Sequence, residues 1–477
     1  MNFYKTNPCL LTDAYKVVHW KQRPENMTTL YSYGEPRSGG KNRNIVFVGL
    51  QPILQEYFMN VPTKEQIDIA EQTCYSTFGT TEYFNRDVWE KVNQLGYYPI
   101  KIKAVKEGTI LPESNVCFTI ESTKDWFAPM ISHFEDALMW CWYSSAVATR
   151  GLNLYTAIEK EMIKSSSKVV DLIMPFAVND FGLRGATFEQ GAIMGGMSHL
   201  VFFDGTDNLP AIDGIRQYYG DSNIGKSVWA TEHSVATSFG PNQGEFEYVN
   251  TQLDNAPDTA TISIVIDSYD AHNFIKNIIG SKEIKDKIIS RKGRTVFRPD
   301  SGEPIINLIK FTELLANIFG YGLNSDSYKV INHNVGLIQG DGMTEESIPT
   351  IYKEYTQTGW ASENFITGSG GGLLVENLTR DTQRWAIKAS YAVIDGKEVD
   401  LRKTPATDTT KSSKCGKLKL HKTGDNKFTT LESSKERPEM FGAYIDELRV
   451  VFEDGVLENE QSFSDIRRTA QFYKSKL

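Results

Sequence analysis

Three acidic residues, Asp267, Asp300 and Asp341, each follow a short apolar run of strand character. Carboxylates fixed at such ends suit Mg2+ or ribose hydroxyls, which both want oxygen acceptors in set positions; capping a helix is the plainer use of any one of them. His233, in Thr-Glu-His-Ser, is the only one of seven histidines at the end of such a run. Asp267, from a neighbouring run, could hold its ring and choose its tautomer, against the alternative of a structural histidine. Thr367 to Leu374 reads Thr-Gly-Ser-Gly-Gly-Gly-Leu-Leu between an apolar run and a helical stretch. Glycines there let backbone N–H groups approach an anion, or merely make a tight connection. Arg380 and the turn Gly340-Asp341-Gly342 favour phosphate, although no Lys-Ser or Lys-Thr follows the glycines as in a P-loop. From Arg402 to Lys422 there are seven Lys or Arg residues and one acid, Asp408, which reads as an anion site or as a solvated loop.

The elements that must position these residues recur between about Asp171 and Arg380. Seven apolar runs, LIMPFAV, HLVFF, SVWAT, ATISIVI, TVF, VGLIQ and NFIT, each lead into a polar or glycine-bearing turn and then a helix-like stretch. That is the pattern of parallel βα units, with functional residues at the strands' carboxyl ends. The fold class expected is α/β, an irregular βα barrel in preference to a wound sheet. The helix-like stretches HNFIKNIIG and EPIINLIKFTELLANIFG carry core residues. Before and after this region the runs alternate apolar and polar residues, as in TTLYSYGE, NVCFTIES and RWAIKASYAVIDGKEVDL, which indicates antiparallel strands. Both ends of the chain are expected to make a second, antiparallel β-rich domain, residues 1–136 plus 384–477, around a barrel-like domain at 137–383. Near the start, Thr12 is expected to cap a helix opening at Asp13-Ala14-Tyr15-Lys16.

Composition narrows the classes. With 477 residues, 40% hydrophobic, 23% charged and a net charge of −9, the chain is that of a globular protein and not of a dedicated nucleic-acid binder. No apolar run reaches the roughly 18 residues of a membrane helix and the start lacks a secretory layout, so a cytoplasmic location without membrane attachment is expected. Five cysteines without a C-x-x-C pair suggest reduced thiols.

Eight ordered motifs carry a resemblance: TDAYKVVHWKQ at 12–22, DFGLRG at 180–185, GTD at 205–207, EHS at 232–234, DSYD at 267–270, RPDSG at 298–302, IQGDG at 338–342 and GSGGGLLVENLTRD at 368–381. The chain resembles the nicotinamide phosphoribosyltransferases, members of the nicotinate phosphoribosyltransferase-like type II phosphoribosyltransferases, from about Leu10 to Gln471. The resemblance implies an irregular βα barrel with an antiparallel domain, working as a homodimer with each site at the subunit interface. The reaction it implies is transfer of ribose 5-phosphate from phosphoribosyl pyrophosphate to the ring nitrogen of nicotinamide, with Mg2+ and coupled ATP hydrolysis, in NAD salvage.

By the same resemblance, Phe181 of one subunit and Tyr15 of the other sandwich the pyridine ring. Asp207 accepts from the carboxamide NH2, with Arg184 and Ser263 on its other side. Asp300 and Gly340 take the ribose hydroxyls with Asp341 close by, Gly370 and Gly371 take the 5′-phosphate, and Arg298 neutralises charge at the floor. Arg37, Arg380, Lys388, Lys403 and Lys411 hold pyrophosphate and ATP. His233 is the residue phosphorylated, with Asp267 orienting it; Asp300 and Asp341 are the Mg2+ candidates. Two positions depart from the family: Asn179 stands in place of a histidine and Lys226 in place of an aromatic residue. The alternatives are a nicotinate-specific relative, which Asp207 disfavours because it would repel a carboxylate; a catalytically idle sensor or interaction protein; and a βα-barrel glycoside hydrolase, which leaves the glycine turn unexplained.

Overall fold

The computed structural model describes residues 6–403 and 413–477, and the chain divides into two compact units. One comprises Met1–Thr149, Arg216–Asp221 and Asn377–Leu477; the other comprises Arg150–Ile215 and Ser222–Glu376.

The first unit is built on a seven-stranded antiparallel sheet whose strands come from both ends of the chain. Its longest pair, Met27–Pro36 against Trp385–Ile394, runs from Met27↔Ile394 to Pro36↔Trp385. Alternation in Ile100–Ala104 leaves Ile100, Ile102 and Ala104 buried while Lys101 and Lys103 point outward, the period-2 pattern of a sheet with one dry face. At the start of the chain the expected cap is absent. A 3-10 helix spans Ala14–Val18 with Asp13 at its N-cap position, and the Thr12 hydroxyl donates instead to Asp136 Oδ2 at 3.2 Å. The same Asp136 oxygen also accepts from Asp13 N at 2.8 Å, so this carboxylate from a distant segment holds the chain here.

The second unit carries six parallel strands: β1 Val178–Asp180, β2 Trp229–Ala230, β3 Ile262–Val265, β4 Thr295–Arg298, β5 Val335–Gln339 and β6 Phe365–Ser369. Their order across the sheet is β1-β6-β5-β4-β3-β2. All four residues of β3 and all five of β5 are buried, as expected of parallel strands covered on both faces. The two edge strands are linked by single parallel bridges, Asp180↔Thr206 and Gly205↔Lys226, which insert the segment around Gly205 between them.

Two of the seven expected strands differ. LIMPFAV is helical over Val170–Ile173 and again over Met174–Phe176, where Pro175 sits in the first turn, and becomes strand only at Val178. Proline presets the helical φ and has no N–H to give a ladder. HLVFF is no strand at all. It continues the helix Glu189–His199 into a turn, with Leu200 N bonded to Gly196 O and Phe203 N to His199 O. A short buried apolar run fits a strand or a helix end equally well, and the preceding helix decides.

The returning helices pack as their spacing requires. In Pro304–Phe319, Leu308, Phe311, Thr312, Leu315, Ala316 and Phe319 are buried along one face, proline opens the helix, and Gly320 follows it at φ +84°. Leu315 is fully buried. Leu315→Ala is therefore expected to lower the unfolding free energy by about 2–5 kcal/mol, read from urea denaturation followed by far-ultraviolet circular dichroism.

Candidate active site

Each parallel strand delivers one polar group or turn at its carboxyl end. Beyond β2, Thr231 N donates to Ser263 O at 2.9 Å and the Thr231 hydroxyl accepts from Val265 N at 3.0 Å, which extends the pairing to the threshold of Glu232 and His233. His233 opens a short helix, His233–Thr237, and its Nε2 lies 3.0 Å from Asp267 Oδ1, two residues past β3. Asp267 is largely buried, and its other oxygen accepts from Asp300 N at 2.8 Å and from the Ser301 hydroxyl at 2.5 Å. The carboxylate is thereby fixed, and the imidazole with it. Asp300 Oδ2 stands 3.8 Å from His233 Nδ1.

The same rim reaches an aromatic ring. Phe181 follows β1 directly and donates its N–H to Ser369 O at 2.9 Å. A Cβ added at Gly368 would lie 2.0 Å from the Phe181 ring; one at Gly340 would lie 3.6 Å from that ring and 3.9 Å from Asp300 Oδ1. Glycine at 368 is thus what lets the ring approach the backbone so closely. Phe181, Gly340, Asp300, His233 and Asp267 form one continuous series of neighbours. Asp341 is exposed on the turn after β5. Gly370 and Gly371 follow β6, with Gly371 N 3.2 Å from the place where a Gly185 Cβ would stand.

Beneath this rim a cavity of about 470 Å³ runs into the unit, lined by Asn179, Phe181, Asp207, Lys226, Ser227, Ser263, Arg298 and a largely aliphatic wall that includes Val296, Leu337 and Ile338. The Ser227 hydroxyl donates to Asp207 Oδ1 at 2.6 Å. No hydrogen-bond partner occupies the buried Nε of Arg298 among the described residues, so a cation with unsatisfied hydrogen-bonding capacity faces an apolar space. Asn179 donates to the carbonyls of Phe176 and Thr367, both at 2.9 Å, and Lys226 Nζ donates to Asn223 Oδ1 at 2.7 Å. Arg184, expected beside the carboxamide, is exposed in the 3-10 turn Leu183–Gly185 and is not part of the cavity wall.

The first unit holds the other expected residues. Lys388 lies among like charges. Burial lowers its pKa, Glu135 opposes that shift, and Arg37, Lys403 and Arg380 lower it further. Burial likewise raises the Glu135 carboxyl, against Lys16, Lys388 and Arg23. A cleft of about 550 Å³ in this unit is lined by Tyr15, Lys16, Glu135, Asp136, Arg380 and Lys388 among others, and the Tyr15 ring is exposed. Lys411 lies outside the described residues. All five cysteines are buried free thiols. Among the described residues no group of three or more His, Cys, Asp or Glu side chains is placed to hold a metal, and no helix is long and apolar enough to cross a membrane.

Comparison with known proteins gives this geometry its family. Residues 176–456 match the Nicotinate phosphoribosyltransferase (NAPRTase) family, and residues 7–102 match the nicotinamide phosphoribosyltransferase N-terminal domain. The chain belongs to the nicotinate phosphoribosyltransferase family. Similar curated members are the nicotinamide phosphoribosyltransferase of Xanthomonas campestris pv. campestris, 36% identical with 98% of each chain covered, and that of Acinetobacter baylyi, 30% identical with 99% of each covered. The fold is that of nicotinate-nucleotide pyrophosphorylase from Pyrococcus furiosus, with a TM-score of 0.61 at 14% identity over 100% of this chain and 98% of that one. Human nicotinic acid phosphoribosyltransferase gives a TM-score of 0.57 at 15% identity, covering 98% and 94%. Like its family, the protein is an enzyme, a phosphoribosyltransferase.

Two residues that sequence reasoning passed over help to build this phosphoribosyltransferase site. Ser227 orients Asp207 from 20 residues away. Arg150, buried in the helix Cys141–Ser165, donates to the carbonyls of Gly372 and Leu373 at 2.8 Å and of Glu376 at 2.6 Å, anchoring the glycine turn, while its Nε pairs with Glu345. Neither has a local signal, since a serine in a turn and an arginine in a helix are ordinary. The Phe181 contact is open to test: Gly368→Ala is expected to cost about 1–3 kcal/mol through overpacking and to displace the ring, as seen in the denaturation midpoint and a crystal structure of the variant.

Proposed function

We propose that the enzyme forms nicotinamide mononucleotide and pyrophosphate from nicotinamide and phosphoribosyl pyrophosphate, serving NAD salvage in the cytoplasm. The observation that carries the choice of substrate is Asp207 on the cavity wall with one oxygen held by Ser227 and the other left to accept. A neutral carboxamide offers that oxygen an N–H donor; the carboxylate of nicotinate meets a like charge. The names of the Xanthomonas and Acinetobacter relatives agree with this reading.

In the reaction the pyridine nitrogen attacks C1 of the ribose as the bond from C1 to the pyrophosphate oxygen breaks, and the ring nitrogen takes the positive charge. Phe181 stacks on the ring and holds it facing C1, with Tyr15 of the partner subunit on the opposite face of the sandwich. Ser263 and Arg298 take the carboxamide oxygen side, Asp300 and Gly340 the ribose hydroxyls, and the N–H groups of Gly370 and Gly371 the 5′-phosphate. Arg37, Arg380, Lys388, Lys403 and Lys411 receive the departing pyrophosphate. A site completed by a second copy makes the working form a homodimer.

Asp300 and Asp341 fit Mg2+, which is satisfied by one or two carboxylates together with substrate phosphate oxygens and needs no all-protein cage. Bound there, Mg2+ would neutralise charge on the pyrophosphate. ATP coupling falls to His233. With Asp267 bonded to Nε2, the proton sits on that nitrogen and the lone pair on Nδ1 is free to accept the γ-phosphoryl group, releasing ADP; water later returns the phosphate. The added negative charge reorders the cations around the donor sugar.

Incubation with phosphoribosyl pyrophosphate, Mg2+ and either pyridine, with and without ATP, tests the reading. Nicotinamide mononucleotide is the expected product, ATP is expected to raise its yield, and His233→Ala is expected to abolish that effect together with the acid-labile protein phosphate seen by mass spectrometry. A product from nicotinate alone would refute the substrate assignment. Asp207→Asn is expected to move the ratio of kcat/KM values toward nicotinate by about tenfold, because the like-charge term is removed.

A further inference from the structure

Next to Phe181 in the chain lies a carboxylate that the chemistry just described does not use. Asp180, the last residue of β1, has a fully buried side chain with His199 nearby. A carboxylate in such a place is costly unless hydrogen bonds satisfy it. Its Oδ1 accepts from Gly182 N at 2.7 Å and its Oδ2 from Asn208 Nδ2 at 3.1 Å. Burial raises its pKa, and nearby His199 together with these two donors opposes the rise.

Asn208 is itself fully committed. Its Nδ2 also donates to Ala192 O at 2.9 Å, and its Oδ1 accepts from Ala211 N at 3.3 Å. The fit leaves no room: a Cβ at Gly196 would stand 2.5 Å from Asn208 Nδ2 and 3.1 Å from Asp180 Oδ2. The main chain of Asp180 joins the same two turns. Its N–H donates to Gly205 O at 3.1 Å, and its carbonyl accepts from Asp207 N at 2.9 Å. Phe181 is its next neighbour in the chain. The residue that stacks on the base and the residue that reads its amide are therefore both tied to Asp180, one covalently and one through a hydrogen bond, while the carboxylate locks the turns that carry them.

We infer that the buried pair Asp180–Asn208 is a positioning device for base recognition, setting the spacing between the Phe181 ring and the Asp207 carboxylate. This deepens the proposed function and rests on it. A role confined to stability would lower the amount of folded enzyme without changing how the folded fraction discriminates its two substrates. A positioning role acts on the pyridine alone, because the groups assigned to the ribose and 5′-phosphate follow β4, β5 and β6 and those assigned to the pyrophosphate belong to the first unit.

The experiment compares the parent with Asp180→Asn and, because that variant can fail to fold, with Asn208→Ala. Asp180→Asn keeps the shape of the side chain but sets an amide donor against one of its two donor partners; Asn208→Ala removes one donor and leaves the carboxylate in place. In the folded fraction of either variant, KM for nicotinamide is expected to rise at least tenfold, with KM for phosphoribosyl pyrophosphate and kcat within about threefold of the parent. A folded variant whose nicotinamide KM stays within twofold of the parent overturns the inference, as does a parallel loss in both KM values and kcat. A parent that accepts only nicotinate would refute the substrate reading and leave this test intact, since the KM of the accepted pyridine is then compared with that of the sugar donor in the same variants.

Discussion

The register of the parallel ladder is the constraint on which the site depends. Ile262 pairs with Thr295, Val335 with Thr295 and Leu337 with Phe365, and these pairings decide which residue of each strand is first to leave the sheet. Because side chains alternate between the two faces of a strand, a slip of one residue would turn Ser263 or Val296 away from the cavity. The ladder sets Asp267 two residues past β3 and Asp300 two residues past β4, and the side chain of the first then reaches the backbone N–H of the second.

On that frame the site divides its work by chemistry. One wall is apolar, with Phe181 against the backbone of Gly368, and an aromatic side chain there suits a planar ring. Groups that accept hydrogen bonds, Asp207 and Asp300, and the cation Arg298 stand at separate points around it. Spreading them in this way keeps opposite charges from cancelling before a ligand arrives. Among the described residues the Arg298 Nε has no hydrogen-bond partner, and Asp207 is oriented by a neutral hydroxyl. Preorganisation of this kind removes reorganisation from the moment of reaction.

The first unit follows another logic. Its antiparallel sheet needs strands from both ends of the chain, so residues near Tyr15 and residues near Lys388 belong to one unit although more than 370 positions apart in sequence. There burial, and then Arg37, Lys403 and Arg380, lower the pKa of Lys388, while Glu135 opposes them.

By itself the sequence determined the class of most elements and the chemistry at their ends. Apolar runs such as ISIV and VGLIQ, each followed by a carboxylate or a glycine, announce buried parallel strands with polar groups at their carboxyl ends, because burial on both faces demands continuous apolar residues and reactive groups must sit where the strand leaves the core. The alternating flanks were equally legible. The preceding helix carried HLVFF into its last turn, and tertiary structure alone decided that Arg184 stays out of the cavity wall, that Ser227 holds Asp207, that Arg150 anchors the glycine turn and that Asn208 bonds to Asp180. The hydrogen bonds of Ser227, Asn208 and Arg150 reach partners 20 to more than 200 residues distant, and no local pattern encodes a hydrogen bond that exists only once the chain has closed on itself.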